Sequence, residues 1–181
     1  MTFAYCTGWR VRSEILPLQW KQIDWTAGTL RLEPGTTKND EGRMFPFAVL
    51  PELAYVLKRQ WEYTKALQLA TGRLIGSVFH RDGRPIKDYR GAWDKACESA
   101  KVVGRIPHDF RRTAVRNLER AGVPRSVAMK LTGHKTESVY RRYAIVSEAD
   151  LSDGLRRLAT LHDRDVKAVE QSRTVTVLTQ F

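Results

Sequence analysis

Four short patterns in this 181-residue chain bring together side chains that can grip an anion. In Pro107-His108-Asp109-Phe110-Arg111 the histidine stands at a helix start and the arginine follows three residues on. Side chains at that spacing share one helix face, so both can converge on one anion. Leu131-Thr132-Gly133-His134 ends a helix at glycine and presents His134 from the turn. Arg141-Arg142-Tyr143 sets a phenol beside two guanidiniums, nine residues after His134. Thr7-Gly8-Trp9-Arg10 precedes the next helical stretch, so Arg10 projects from a tight turn. A lone His-x-x-Arg arises often by chance, and most of these arginines read equally well as a solvated basic face. The four patterns together resist that simpler reading.

The charge points the same way. Lysine and arginine total 31 against 20 acids, a net +11 with a pI near 10.0. Residues 104–143 hold ten of those bases and three acids, and thus +7 of the excess. Such an excess favours a polyanionic partner, nucleic acid ahead of an acidic membrane surface. No apolar run exceeds the six residues Phe45 to Leu50, too few to span a bilayer. Met1-Thr2-Phe3-Ala4-Tyr5-Cys6 does not read as a signal peptide. Cys6 and Cys97 are isolated thiols, which excludes a disulfide framework and fits a reducing, cytoplasmic (nucleoid-associated) setting. Four scattered histidines and two remote cysteines give no zinc-ligand pairs, and no cofactor is implied.

The elements that must position these groups follow from periodicity. Ile15, Leu16, Trp20 and Ile23 recur at helical spacing, with Ser13 as N-cap and Pro17 in the first turn. Thr29–Leu32 and Gly42–Phe47 alternate as antiparallel strands, joined by the polar connection 33–41, and Pro46 must sit near a strand end. Pro51 at the first helical position opens a helix through Ala70, which Gly72 closes. Further helices are predicted over 88–103, 109–121, 124–131, 136–144 and 148–161. The fold class is therefore α+β, mostly α, with a small antiparallel sheet near the N-terminus. Residues 1–161 form the domain and 162–181 a tail. The tail's β-branched run Thr174–Leu178 is read as an added strand or a disordered terminus.

Taken in order, Thr7-Gly8-x-Arg10, Glu14-Ile15-x-x-Leu18, Thr37-Lys38, His108-x-x-Arg111, Gly133-His134 and Arg142-Tyr143 resemble the catalytic domain of tyrosine recombinases, the phage-integrase family. The likeness covers roughly residues 5–161. It implies the tyrosine-recombinase catalytic-domain fold and a site-specific recombinase that cleaves and rejoins double-stranded DNA through a 3′-phosphotyrosine, without metal or cofactor. Tyr143 is then the nucleophile. Arg10 and Arg111 would meet the non-bridging oxygens with paired hydrogen bonds, and each such donor typically lowers the barrier by about 3–4 kcal/mol. His108 would assist proton transfer at the tyrosine, and His134 would donate to a phosphate oxygen. Lys38 would protonate the leaving 5′-oxygen. Arg12, Arg112, Lys135, Arg141 and Arg142 are the further DNA-contacting candidates. Arg12 also competes with Arg10, because Gly8 to Glu14 is one residue longer than the usual family pattern.

Several residues read more simply. Tyr140, six residues after His134, is a packing residue rather than the nucleophile. Glu14 is a partner for an arginine, His80 and His162 are surface residues, and Trp20, Trp61 and Trp93 belong to the core. Only nine residues precede Arg10, so the family's core-binding domain is expected to be missing here. The resemblance implies a tetramer on DNA, with the tail reaching a neighbouring protomer. Two rival readings remain at this point: a non-catalytic DNA-binding remnant, and a relaxing enzyme of the type IB topoisomerase kind.

Overall fold

A glycine in the left-handed conformation ends the first helix and sets the geometry of everything near it. Helix α1, Thr2–Thr7, stops at Gly8, whose φ is +65°. A Cβ there would stand 2.9 Å from Ala114 Cβ, so only glycine lets this turn lie against the later helix that carries Arg111. The computed structural model describes residues 1–35, 42–144 and 148–178, with side chains through residue 167. The chain divides into two units, 1–144 and 145–181.

In the first unit, strands β1 (Ile23–Asp24), β2 (Thr29–Leu32) and β3 (Arg43–Phe45) form one antiparallel sheet in that order. Leu30 stands opposite both Ile23 and Phe45, and Leu32 opposite Arg43. The inward face carries Ile23, Leu30, Leu32 and Phe45, all buried, while Met44 between them faces out. Pro46 follows β3 directly, where its missing donor costs no ladder bond. The long helix α2, Pro51–Thr71, has proline at its first turn and Gly72 in the left-handed conformation at its end, as the sequence predicts. It buries Leu53 and Leu57 against the sheet's core, which also holds Phe3, Trp9, Ile15, Leu18 and Trp20.

Helices α3 (Arg90–Ser99), α4 (His108–Arg120), α5 (Arg125–Thr132) and α6 (Glu137–Arg141) follow. Val115 of α4, Ala128 of α5 and Tyr140 of α6 form a second small core, with Tyr143 packed at its edge. The second unit holds α7, Glu148–Leu178.

Four expectations change. The stretch from Ser13 to Ile23 is not one helix. It is a wide turn over Val11–Ile15 and a short 3₁₀ turn over Trp20–Gln22, and Ile23 then enters β1. Pro17 carries no N–H to continue a helix, and Arg10 rather than Ser13 stands at the N-cap. A hairpin, β4 (His80–Arg81) and β5 (Arg84–Pro85), lies between α2 and the next helix, where the sequence reading places no element. His80 is buried rather than exposed: its ring stacks on Tyr63, its Nε2 lies 2.9 Å from Thr64 Oγ1, and its Nδ1 accepts from the Gly83 N–H. The run Thr174–Leu178 continues α7 instead of forming a strand or a loose end. β-Branched residues disfavour a helix by only a few tenths of a kcal/mol each, roughly, so an established helix propagates through them.

Candidate active site

The wide turn after α1 holds Arg10. Its hydrogen bonds include Ile15 N–H to the Arg10 carbonyl at 3.1 Å and Leu16 N–H to Val11 at 2.9 Å, a spacing of five residues. A turn of this kind takes in one residue more than an α-helical turn. That absorbs the longer spacing from Gly8 to Glu14, brings the Glu14 carboxylate back beneath Arg10, and leaves Arg12 exposed. Glu14 Oε2 accepts the Arg10 backbone N–H at 2.8 Å and Oε1 accepts its Nη1 at 2.7 Å. Nε and Nη2 of Arg10 have no partner among the described residues. Trp9, one residue earlier, is buried and donates its indole N–H to the Leu131 carbonyl at 2.9 Å, which ties this turn to α5.

Arg111 projects from the first turn of α4 into the space beneath Gly8 and is only 2% exposed. Buried guanidiniums need acceptors for their N–H groups. Here Nη1 donates to the carbonyls of Gly8 at 2.8 Å and Thr132 at 2.6 Å, Nε to His134 Nε2 at 3.2 Å, and Nη2 to the Gly133 carbonyl at 3.4 Å. One N–H of five remains, so Arg111 offers less than the expected paired fork. Burial, then the nearby Arg10, lowers its pKa to about 10. The site is electropositive and short of counter-charge.

Gly133, with φ +72°, closes α5 and turns His134 inward, where it is 7% exposed. Thr132 Oγ1 donates to the Ala128 carbonyl, so at 2.7 Å it accepts from the His134 Nδ1–H. His134 Nε2 then accepts from Arg111. Both ring nitrogens are engaged, and the expected donation from His134 to a phosphate oxygen has no free N–H in this arrangement. Burial and the cations Arg111, Arg10 and Arg43 lower its pKa to about 3. An unfolded histidine takes its proton near 6.5, so between about 6.5 and 3 the unfolded state binds more protons. Stability from this group is whole above that window and falls as the pH drops through it. Thermal midpoints measured from pH 7 to pH 4 should show a decline that is shallower in His134→Gln.

His108 begins α4, and its Nε2 lies 2.9 Å from the Tyr143 hydroxyl. Burial first, then Arg111, Arg112 and Arg10, push the His108 pKa below its ordinary value. A neutral imidazole with its proton on Nδ1 accepts the Tyr143 O–H. Tyr143 follows α6, with its N–H on the Tyr140 carbonyl at 2.9 Å, and its ring packs against His134 at 5.0 Å. The Arg111 guanidinium carbon lies 5.9 Å from the same ring. Tyr140, by contrast, is fully buried, and burial together with the Glu119 carboxylate pushes its phenol up. A cleft of about 480 Å³ is lined by Trp9, Arg10, Arg12, His108 and Arg111 among others.

Five of the six sequence-derived site residues thus meet in one place: Arg10, His108, Arg111, His134 and Tyr143. The sixth, Lys38, lies outside the described residues. Of the further candidates, Arg12, Arg112, Lys135, Arg141 and Arg142 are all exposed. Arg112 pairs with Asp109, and Arg141 with Glu137. Two site residues escaped the sequence reading, Arg43 and Thr132. Arg43 is buried beside Glu14, which it contacts at 3.1 Å, while Thr132 supplies a carbonyl and a hydroxyl to the cluster. The strand period held a signal for Arg43: if Phe45 faces the core, so does the residue two before it.

The phage integrase family model matches residues 1–149. The chain belongs to that family. The integrase of Salmonella phage P22 is 28% identical over 177 residues, covering 94% of this chain and 44% of that protein. Among solved structures, this integrase-family chain is similar to XerA recombinase, with a TM-score of 0.64 at 19% identity over 88% of the chain and 55% of that one. It is also similar to the Tn1549 transposon integrase in complex with transposon right-end DNA, with a TM-score of 0.67 at 19% identity over 87% of the chain and 57% of that one. The fold is thus that of the tyrosine recombinases. The chain spans less than half the length of its curated relative. Among the described residues, no helix is long and apolar enough to cross a membrane.

Proposed function

We propose that this integrase-family domain cleaves and rejoins duplex DNA through a covalent bond between Tyr143 and a 3′-phosphate. The observation that carries the reading is the Tyr143 hydroxyl, within hydrogen-bond distance of His108, which lines a cleft together with Arg10, Arg12 and Arg111. Tyr143 Oη attacks the scissile phosphorus, and its proton passes to His108 Nε2. The bond from phosphorus to the 5′-oxygen breaks, and the leaving oxygen takes a proton from Lys38. Arg10 offers Nε and Nη2 to the non-bridging oxygens, and Arg111 adds its remaining N–H and its charge. These donors matter most as negative charge builds in the transition state. His134 acts through Arg111, whose Nε–H it receives, and is a positioning residue. Because the phosphodiester energy is retained in the phosphotyrosine, a 5′-hydroxyl can attack it and restore a DNA strand.

Incubation with a nicked suicide duplex, whose cleaved end diffuses away, should trap a protein–DNA adduct resistant to denaturant. Salt-sensitive binding without any adduct would leave only a DNA-binding role. Assembly of several copies on DNA belongs to the same reading and is tested by sizing the complex on a recombination site. The proton acceptor also sets a pH dependence. Neutral His108 is the competent form, so the single-turnover cleavage rate should fall as the pH drops through a value below about 6.5. His108→Gln should remove that inflection. A rate that rises on acidification would contradict the assignment.

A further inference from the structure

Arg43 enters no step of the mechanism above, yet it is a buried charge at the centre of the same cluster. It is the first residue of β3, five residues after Lys38 in the chain, and is 9% exposed. Its Nη2 donates to Glu14 Oε1 at 3.1 Å and its Nη1 to the Thr132 carbonyl at 3.2 Å. The guanidinium lies over the Trp9 ring at 5.1 Å. Each contact leads to a residue of the proposed site. Glu14 Oε1 is the oxygen that also receives Arg10 Nη1 at 2.7 Å. The Thr132 carbonyl is the one that also receives Arg111 Nη1. Trp9 immediately precedes Arg10.

The glycine at 133 fits this placement. A Cβ at Gly133 would overlap the Arg43 guanidinium, which Glu14 and Thr132 hold from two sides. Arg43 also alters how Glu14 divides its charge. Burial disfavours the carboxylate, but Arg43 and the Arg10 backbone and side chain outweigh it and hold its pKa below the ordinary value. One carboxylate shared by two guanidiniums leaves Arg10 only partly neutralised, and so still attractive to a phosphate.

We propose that Arg43 is a positioning residue for DNA cleavage, bridging Glu14 and the Thr132 carbonyl so that Arg10 and Arg111 face one phosphate together. The inference rests on the cleavage reading above. It also makes β3, the strand that follows the Lys38 segment, a structural support of the site. A bridge needs two nitrogens in a fixed fork, which arginine has and lysine lacks.

The test compares Arg43→Lys, Glu14→Gln, Arg10→Lys and the Arg10→Lys/Arg43→Lys double variant, each checked for folding by circular dichroism. Single-turnover cleavage of the nicked duplex is measured beside the Kd for the same DNA. Lysine preserves the charge, so Arg43→Lys should bind DNA within about twofold of wild type and cleave about 100-fold more slowly, the usual effect of a small misplacement at a reacting centre. Glu14→Gln should slow cleavage in the same way. If Arg43 works through Arg10, the double variant should be little slower than Arg10→Lys alone. Losses that multiply, or a folded Arg43→Lys or Glu14→Gln with wild-type rate, overturn the proposal.

A second readout is independent of cleavage. The Arg111 Nε–H, bonded to His134, should give a slowly exchanging NMR signal in the wild type that broadens in Arg43→Lys. If wild type forms no adduct, the cleavage reading fails while this signal still decides the role of Arg43. A signal unchanged in the variant counts against it.

Discussion

Tyr143→Phe is expected to abolish covalent attachment to DNA, by roughly 10⁴-fold or more, because it removes the attacking oxygen itself. Affinity for the duplex should stay within about twofold, since cationic contacts to the backbone supply most of it. The companion Tyr140→Phe should keep the adduct. The two tyrosines stand three positions apart in the chain, but their surroundings differ. Tyr143 is half-buried, touches His108 at 2.9 Å and lies beneath Arg111. Tyr140 is sealed in the small core between α4, α5 and α6 and faces Glu119, an anion that opposes a phenolate. A denaturing gel of suicide-substrate reactions separates the outcomes. An adduct that persists in Tyr143→Phe and vanishes in Tyr140→Phe would reverse the assignment.

The second large effect belongs to Arg111. Arg111→Met should slow cleavage by about 10²–10³-fold, the usual loss on removing one donor to a developing anion. Stability should fall by only about 1–2 kcal/mol, because two effects oppose each other. The Gly8 carbonyl and His134 Nε2 lose a donor, whereas the Thr132 carbonyl keeps Arg43. Against that loss, the fold no longer holds a buried cation that burial and Arg10 disfavour. Arg111→Lys keeps the charge but cannot reach several acceptors from one ammonium, and should cleave nearly as poorly. Single-turnover rates beside thermal melts provide the comparison. A rate near wild type in folded Arg111→Met would remove Arg111 from the transition state.

Much of the helical frame was legible in the residue order. Pro51 and Gly72 bound α2 because each acts locally, one by lacking an N–H that a first turn does not need, the other by tolerating positive φ. The hairpin β4–β5 is equally local: Asp82-Gly83, both at positive φ, is a strong two-residue turn. The wide turn over Val11–Ile15 was not legible in this way. Its apolar spacing imitates an α-helix, and the difference lies in Glu14 folding back on Arg10, a contact that periodicity does not register.

Residue order by itself determined the basic character of the chain, its family resemblance, and which residue types could attack, protonate and cradle a phosphate. Those properties depend on composition and on short spacings, which need no partner from elsewhere in the chain. The tertiary structure decided how the groups divide their work. It spends most of Arg111's donors on the carbonyls of Gly8, Thr132 and Gly133, turns His134 into an acceptor for Arg111, and seals Tyr140 in the core while leaving Tyr143 half-buried against His108. It also brings Arg43 beside Glu14, 29 residues away in the chain. Burial and hydrogen-bond partners drawn from distant segments make these choices, and both exist only once the chain has closed on itself.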